Sequence, residues 1–165
     1  MRGHRIYKEG ERPPVPGRLA GLRLVRDTAV ERPPGYHTRS HVGCPVDVVV
    51  LLRPFAEVEP AETLWLLALD TQHRLIGTPI VVTRGILNQT LCHTREIFRA
   101  AIVAGAVAVV LVHNHTSGDP EPSPADLEFT LNVAAAGRMI DIPVLDHIIL
   151  GDPDHYVSLA ERRVL

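Results

Sequence analysis

An α/β (α+β) fold, with a mixed central β-sheet flanked by helices, follows from three observations. The chain has 165 residues, 45% of them hydrophobic, enough for one domain with a core and too few for two ordinary ones. Three largely apolar runs, Leu64–Leu69, Val107–Val112 and Val144–Leu150, lack the alternation of a half-exposed strand and suit strands covered on both faces. Between them lie segments with helix start and stop signals and no repeating period, so strands and helices mix in one layered unit.

Residues 1–18 carry Pro13, Pro14 and Pro16 among charges, which predicts an arm without regular structure. Leu22–Val25 alternates as an edge strand, and Pro33-Pro34-Gly35 breaks the chain. The expected division is a basic, proline-rich arm and edge segment over residues 1–42, then a domain over 43–165. Pro45 starts a short helix that stops at Arg53, before Pro54. Leu64–Leu69 is a central strand, Asp70–His73 a turn, and Leu75–Thr83 the returning hairpin strand. Arg84-Gly85 and Asn88 mark a further turn. Thr94 caps a helix over Arg95–Gly105, which feeds the strand ending at His113. Ser123 and Pro124 open a helix that runs to Gly137, with Leu127, Leu131, Ala134 and Ala135 on its apolar side. Val144–Leu150 is the next buried strand, Asp152–Asp154 a turn, and Tyr156–Leu159 a short last strand.

Several function classes are excluded by composition. No run of eighteen apolar residues exists, and Met1–Arg5 lacks a signal-peptide core, which predicts a cytoplasmic protein with no membrane span. Cys44 and Cys92 are the only cysteines and form no Cys-x-x-Cys pair, so neither a disulfide framework nor a cysteine metal site is indicated. Net charge is −2, yet residues 1–45 hold nine basic against four acidic side chains. That imbalance fits a solvated tail, with nucleic acid as the alternative partner of the arm.

The most informative stretch is His113-Asn114-His115, followed after a Gly- and Pro-containing loop by Ser123-Pro124-Ala125-Asp126. Residues two apart on a strand share a face, so His113 and His115 point the same way. Asp126 falls in the first turn of the following helix, from which its carboxylate can swing toward them. Two imidazoles and a carboxylate with an open fourth position are a usual catalytic zinc set. The same residues also fit a capping box, Ser123-x-x-Asp126, in which both side chains only satisfy backbone donors. Spacing alone leaves both readings open.

Taken together, the residues resemble a known family. His-x-His, seven residues, Ser, two residues, Asp is similar to the JAMM signature of JAB/MPN metalloproteases. Gly85, His93–Phe98, His113–Asp119 and Leu145–Ile149 resemble its RadC branch, over about Gly43–Leu165. Thr116 stands where that branch has proline. The resemblance implies a three-layer, cytidine-deaminase-like architecture and a Zn2+ ion held by His113, His115 and Asp126. It also implies that Ser123 hydrogen-bonds the metal's water or the developing oxyanion, and that Glu62, just before a strand, is the general base, with Glu96 as runner-up. The implied activity is hydrolysis of a peptide or isopeptide bond in a protein or peptide substrate. The alternative is a non-hydrolytic accessory protein that binds DNA or a protein partner. The oligomeric state is not readable. The consecutive His-Asn-His is not an HNH nuclease motif, whose residues are dispersed, and a metal-dependent amidohydrolase barrel needs ~250 residues. Asp146 and His147 read as buried strand polars, one of them able to support a ligand from behind.

Overall fold

The computed structural model describes residues 40–85 and 93–165. The expected arm and the strand Leu22–Val25 lie outside the described residues, as do Asn88 and Cys92. The elements are α1 (Pro45–Ala56), β1 (Thr63–Leu69), β2 (Ile80–Arg84), α2 (Thr94–Ala104), β3 (Ala108–Asn114), α3 (Pro124–Met139), β4 (Val144–Leu150) and β5 (Tyr156–Ser158). They form one five-stranded sheet in the order β2-β1-β3-β4-β5. β1 pairs antiparallel with both β2 and β3, β3 runs parallel to β4, and β4 pairs antiparallel with β5. The sheet is therefore mixed, as expected, and α3 makes the crossover that a parallel pair requires.

The continuous apolar runs are explained by cover on both faces. Leu64, Leu66, Val109 and Leu111 pack with Ile97 and Phe98 of α2 and Phe129 and Val133 of α3. Trp65, Leu67, Val110, Val112, Ile148 and Leu150 face the other way and pack with Val48 and Leu52 of α1. Two helices, a sheet and one helix make three layers.

Four boundaries differ from the sequence expectation. α1 continues through Pro54 to Ala56; the proline lies in the last turn, where its missing N–H costs a single intrahelical bond. Its start is held by Asp47, whose carboxylate accepts from the N–H groups of Gly43 and Cys44 at 2.8 and 3.1 Å. At α2 the N-cap is His93, with Thr94 already helical. The strand returning from the hairpin is shorter than Leu75–Thr83, because the regular strand covers only Ile80–Arg84, Leu75 contributing an isolated bridge to Leu69.

Most informative is α3, which passes Gly137 and ends at Met139. Its buried face is Asp126, Phe129, Thr130, Val133, Ala134 and Gly137, whereas Leu131 is exposed. Gly137 does not stop the helix; it lets the segment leading to β4 pass close by. A Cβ there would lie 2.5 Å from the Ile142 carbonyl oxygen and 3.0 Å from the Phe98 ring. Gly137→Ala should therefore destabilise by about 1–3 kcal/mol through overpacking, against the ~1 kcal/mol that alanine would otherwise contribute in a helix interior. A melting temperature equal to or above wild type would refute the close-packing role.

Candidate metal centre

The site is built where β3 ends and α3 begins. β3 points His113 toward the α3 side of the sheet, and His115 follows one residue beyond the strand, its N–H still donating to the Leu150 carbonyl at 2.8 Å. The chain then turns through residues 116–122, and Ser123 caps α3. The Ser123 hydroxyl accepts from the Asp126 N–H at 3.2 Å, and the Ser123 N–H donates to Asp126 Oδ2 at 2.8 Å. The capping box is real. It also aims the carboxylate, because Asp126 Oδ1 stands 3.5 Å from His113 Nε2 and Oδ2 stands 3.6 Å from His115 Nε2. The two Nε2 atoms are 2.9 Å apart. Among the described residues, His113, His115 and Asp126 form the one group of His, Cys or carboxylate ligands that can hold a metal ion.

Hydrogen bonds behind the ligands decide what those atoms offer. Thr130 donates its hydroxyl to the Asp126 carbonyl at 2.6 Å, so toward His147 Nδ1, also at 2.6 Å, it acts as acceptor. His147 then carries its proton on Nδ1 and presents a bare Nε2 to His113 Nδ1, 2.8 Å away. His113 must donate from Nδ1, which leaves its Nε2 as a lone pair. At His115, Nδ1 lies 2.7 Å from the Asp119 carbonyl, which can only accept, so its neutral form also has a bare Nε2. Two lone pairs and an anionic carboxylate converge with no proton assigned between them. Such an arrangement repels itself unless a cation sits at its centre. Ligands on a tetrahedral zinc with bonds of ~2.0–2.1 Å are about 3.4 Å apart, and separations of 2.9, 3.5 and 3.6 Å bracket that value. The donor set fits a borderline-soft divalent ion such as zinc.

Protonation tendencies agree with this at His113, His147 and Asp126. Burial pushes His113 well below the usual histidine range, the neighbouring His147 and His115 adding to the shift and Asp126 opposing it. Burial likewise takes His147 down to about 4. Burial pushes Asp126 upward, yet bonds with His115 and Ser123 and the charge of His113 outweigh it, so the carboxyl is held well below its ordinary range. His115 moves the other way: its bond to Asp126 raises it, burial opposes, and the Asp119 carbonyl and the charges of Asp126 and Glu62 add to the rise.

The charge of Glu62 thus bears on His115. β1 and β3 pair Leu64 with His113, and Glu62 and His115 each lie two residues beyond that pair in the chain. Asn114 fixes the backbone on both sides of Glu62. Its Oδ1 accepts from the Thr63 N–H at 2.8 Å and its Nδ2 donates to the Ala61 carbonyl at 3.2 Å. Glu96 instead pairs with Arg99 at 2.7 Å, one turn along α2. Ser123 is beside the cluster, with its hydroxyl 2.6 Å from Asp126 Oδ2.

Asp146 is spent on structure, accepting from the His147 and Ala160 N–H groups and the Ser158 hydroxyl. His147 is the residue that supports a ligand. Sequence reading did not find Thr130, Asn114 or Arg53. Thr130 lies four residues after Asp126, a helical spacing that signals a shared face. Arg53 leaves no local signal, since its partners are about a hundred residues away. It donates to the carbonyls of Gly151, Asp152 and His155 at 2.8–3.2 Å, clamping the β4–β5 turn. That turn in turn holds the ligand loop, Asp152 N–H donating to the Gly118 carbonyl at 2.8 Å.

Comparison with known proteins gives the family. The model of the RadC-like JAB domain matches residues 42–164. The chain belongs to this family. Similar relatives of the RadC-like JAB domain are named UPF0758 proteins. One from Rubrobacter xylanophilus is 42% identical over 147 residues, covering 89% of this chain and 62% of the relative. Another, from Thermosynechococcus vestitus, is 45% identical over 113 residues, 64% of this chain and 44% of the relative. A third, from Methanosarcina mazei, is 37% identical over 136 residues, 82% and 56% respectively. This RadC-like JAB chain thus spans about half the length of the curated relatives it matches. Among its described residues no helix is long and apolar enough to cross a membrane.

Two expected outcomes follow from the geometry. Thr130→Val, which keeps shape but removes the acceptor behind His147, should lower zinc affinity about 10–100-fold; competition titration against a chromophoric chelator would measure it, and wild-type affinity would refute the relay. As pH falls from about 7 to 5, zinc affinity should drop with a slope of one proton, because His115 is raised and takes up a proton while His113 and Asp126 stay lowered and unprotonated. A slope of two or three protons would show that the ligands titrate together.

Proposed function

We propose that this chain is a zinc-dependent hydrolase of the JAMM type that cleaves a peptide or isopeptide bond in a polypeptide substrate. What supports it most is one conjunction: three metal-ready acceptors at the end of β3, and a glutamate, Glu62, whose backbone neighbours Ala61 and Thr63 are both tied to Asn114, the residue between the two histidines. A purely structural ion would need no such neighbour.

His113, His115 and Asp126 would hold the ion. Bound there, zinc would supply a Lewis acid for the substrate carbonyl and bring the pKa of a water toward ~7. Glu62 takes the proton of the attacking water and passes it to the leaving amine, the task of a general acid–base group. The Ser123 hydroxyl turns from Asp126 Oδ2 toward the carbonyl oxygen as negative charge develops, and between turnovers it keeps the carboxylate aligned. His147 and Thr130 move no atoms of the substrate; they keep the proton on His113 Nδ1 and off Nε2. Asn114 fixes the backbone on either side of Glu62.

The test separates ligand from base. Purified protein should carry about one zinc per chain, and His113→Ala, His115→Ala or Asp126→Ala should lose it. Glu62→Gln should retain zinc and fold yet lose at least about a hundredfold in turnover of peptide or isopeptide substrates, the lower range of general-base contributions. Normal turnover in Glu62→Gln with a dead Glu96→Gln would assign the base elsewhere. Ser123→Ala should cost about 1 kcal/mol through the cap and reduce turnover by more than that loss explains; unchanged turnover in folded protein would leave Ser123 as a cap alone.

A further inference from the structure

The loop over residues 116–122 joins the two parts of the candidate metal centre and supports a ligand on each side. The Asp119 carbonyl lies 2.7 Å from His115 Nδ1, and just past the loop the Ser123 N–H and hydroxyl hold Asp126 Oδ2 at 2.8 and 2.6 Å. Glu121 stands midway between these two supports. Its N–H donates to Asp119 Oδ1 at 3.0 Å. Its carboxylate leaves the loop to meet Arg162 through two bonds, Nη1 donating to Oε1 at 2.6 Å and Nη2 to Oε2 at 2.7 Å.

Exposed ion pairs usually contribute little, because two long side chains must be ordered and solvent screens them. This pair differs in how its backbones are held. Arg162 rises from a C-terminal turn tied to β4: Asp146 accepts from the Ala160 N–H at 2.9 Å and from the Ser158 hydroxyl at 2.6 Å. That hydroxyl accepts from the Glu161 N–H at 3.1 Å, and the Arg162 N–H donates to the Ser158 carbonyl at 3.2 Å. Leu159 and Val164 pack the turn against Ile149 of β4 and Leu127 of α3. On the loop side, Gly118 is bonded to the β4–β5 turn, and a Cβ on Gly151 of that turn would lie 2.6 Å from the Pro120 ring. Both backbones are therefore in place before the side chains meet. A guanidinium facing a carboxylate through two parallel bonds is also the geometry in which such a pair is strongest.

We infer that Arg162 is a positioning residue for the metal centre: its clasp on Glu121 holds the loop that orients His115 and Asp126, and so sets how long a zinc ion is retained. The inference rests on the proposed metal site and not on hydrolysis. His113 lies within β3 and takes its orientation from His147, so opening the clasp slackens two ligands and leaves the third in place. Ligands that are no longer held in the binding geometry lose more freedom on capture, and the ion leaves sooner. Arg162 and Glu121 are 42% and 62% exposed, which leaves the clasp open to screening by salt. Zinc retention is thereby coupled to ionic strength.

The experiment is stopped-flow release of zinc from the loaded full chain into excess chromophoric chelator, at low and at high salt. Arg162→Met and Glu121→Gln should each speed release about two- to fivefold at low salt, the range for exposed ion pairs. The double variant should be no faster than either single one, because all three remove one shared contact. Arg162→Lys, which keeps the charge but not the two-bond fork, should fall between wild type and Arg162→Met. Rising salt should speed release from wild type more than from the variants. Gly137→Ala, which disturbs packing at the opposite end of α3, should release zinc at the wild-type rate and so separates loop control from general loss of stability. Unchanged release in both single variants, additive effects in the double one, or equal acceleration in Gly137→Ala would overturn the clasp and leave the metal site standing. A wild-type protein that takes up no zinc would overturn both. The expected release pattern in a protein that cleaves nothing would keep the clasp and remove the hydrolase reading.

Discussion

The architecture at the end of the sheet depends on an electrostatic conflict, the convergence of two imidazole lone pairs and a carboxylate within a few ångströms. Bare nitrogens 2.9 Å apart repel unless a cation lies between them, and the surroundings remove the easy escape of protonation at His113. Its burial disfavours the imidazolium, and its Nδ1 proton is claimed by His147. The protein thus holds a concentrated preference for a positive ion, and the neighbouring groups make sense as supports for it. Thr130 sets the tautomer of His147, Asp119 that of His115, and Ser123 the direction of Asp126.

Asp126 shows how one side chain can satisfy two demands that looked like alternatives. As the third residue of α3 it accepts the Ser123 N–H, and as a neighbour of both histidines it completes the ligand triangle. The capping bonds suit it to the ligand role proposed for it. They fix its rotamer before any ion arrives and keep the carboxyl ionised, so less conformational freedom is lost on binding. A helix start is a suitable place for such a group, since exposed backbone donors and the dipole favour a negative charge there.

Much of this was legible in the sequence, for reasons that can be named. The buried strands were visible because both faces of the sheet are covered, which converts alternation into unbroken apolar runs such as Leu64–Leu69. The candidate metal cluster was visible because its members lie close in the chain, at a strand end and the next helix start. Where the reading failed, tertiary packing had overruled a local signal. Gly137 is a stop signal by composition, but in the structure it is a contact point under Ile142. Leu131 suits an apolar stripe, but the buried side of α3 is set by Phe129 and Val133 packing on the sheet. Pro54 falls in a last turn that tolerates it. Arg53 and Asn114 were invisible because their partners are distant in sequence, 98 residues in one case and 51 in another.

The clamp made by Arg53 has a consequence for how distant parts of the molecule communicate. The guanidinium grips the β4–β5 turn, the turn grips the loop at Gly118, and the loop carbonyl of Asp119 orients His115. Helix α1 is thereby joined to His115 through a short series of hydrogen bonds and intervening backbone. If ion capture by His115 tightens this series, reciprocity requires that tightening it from α1 favour capture by the same free energy.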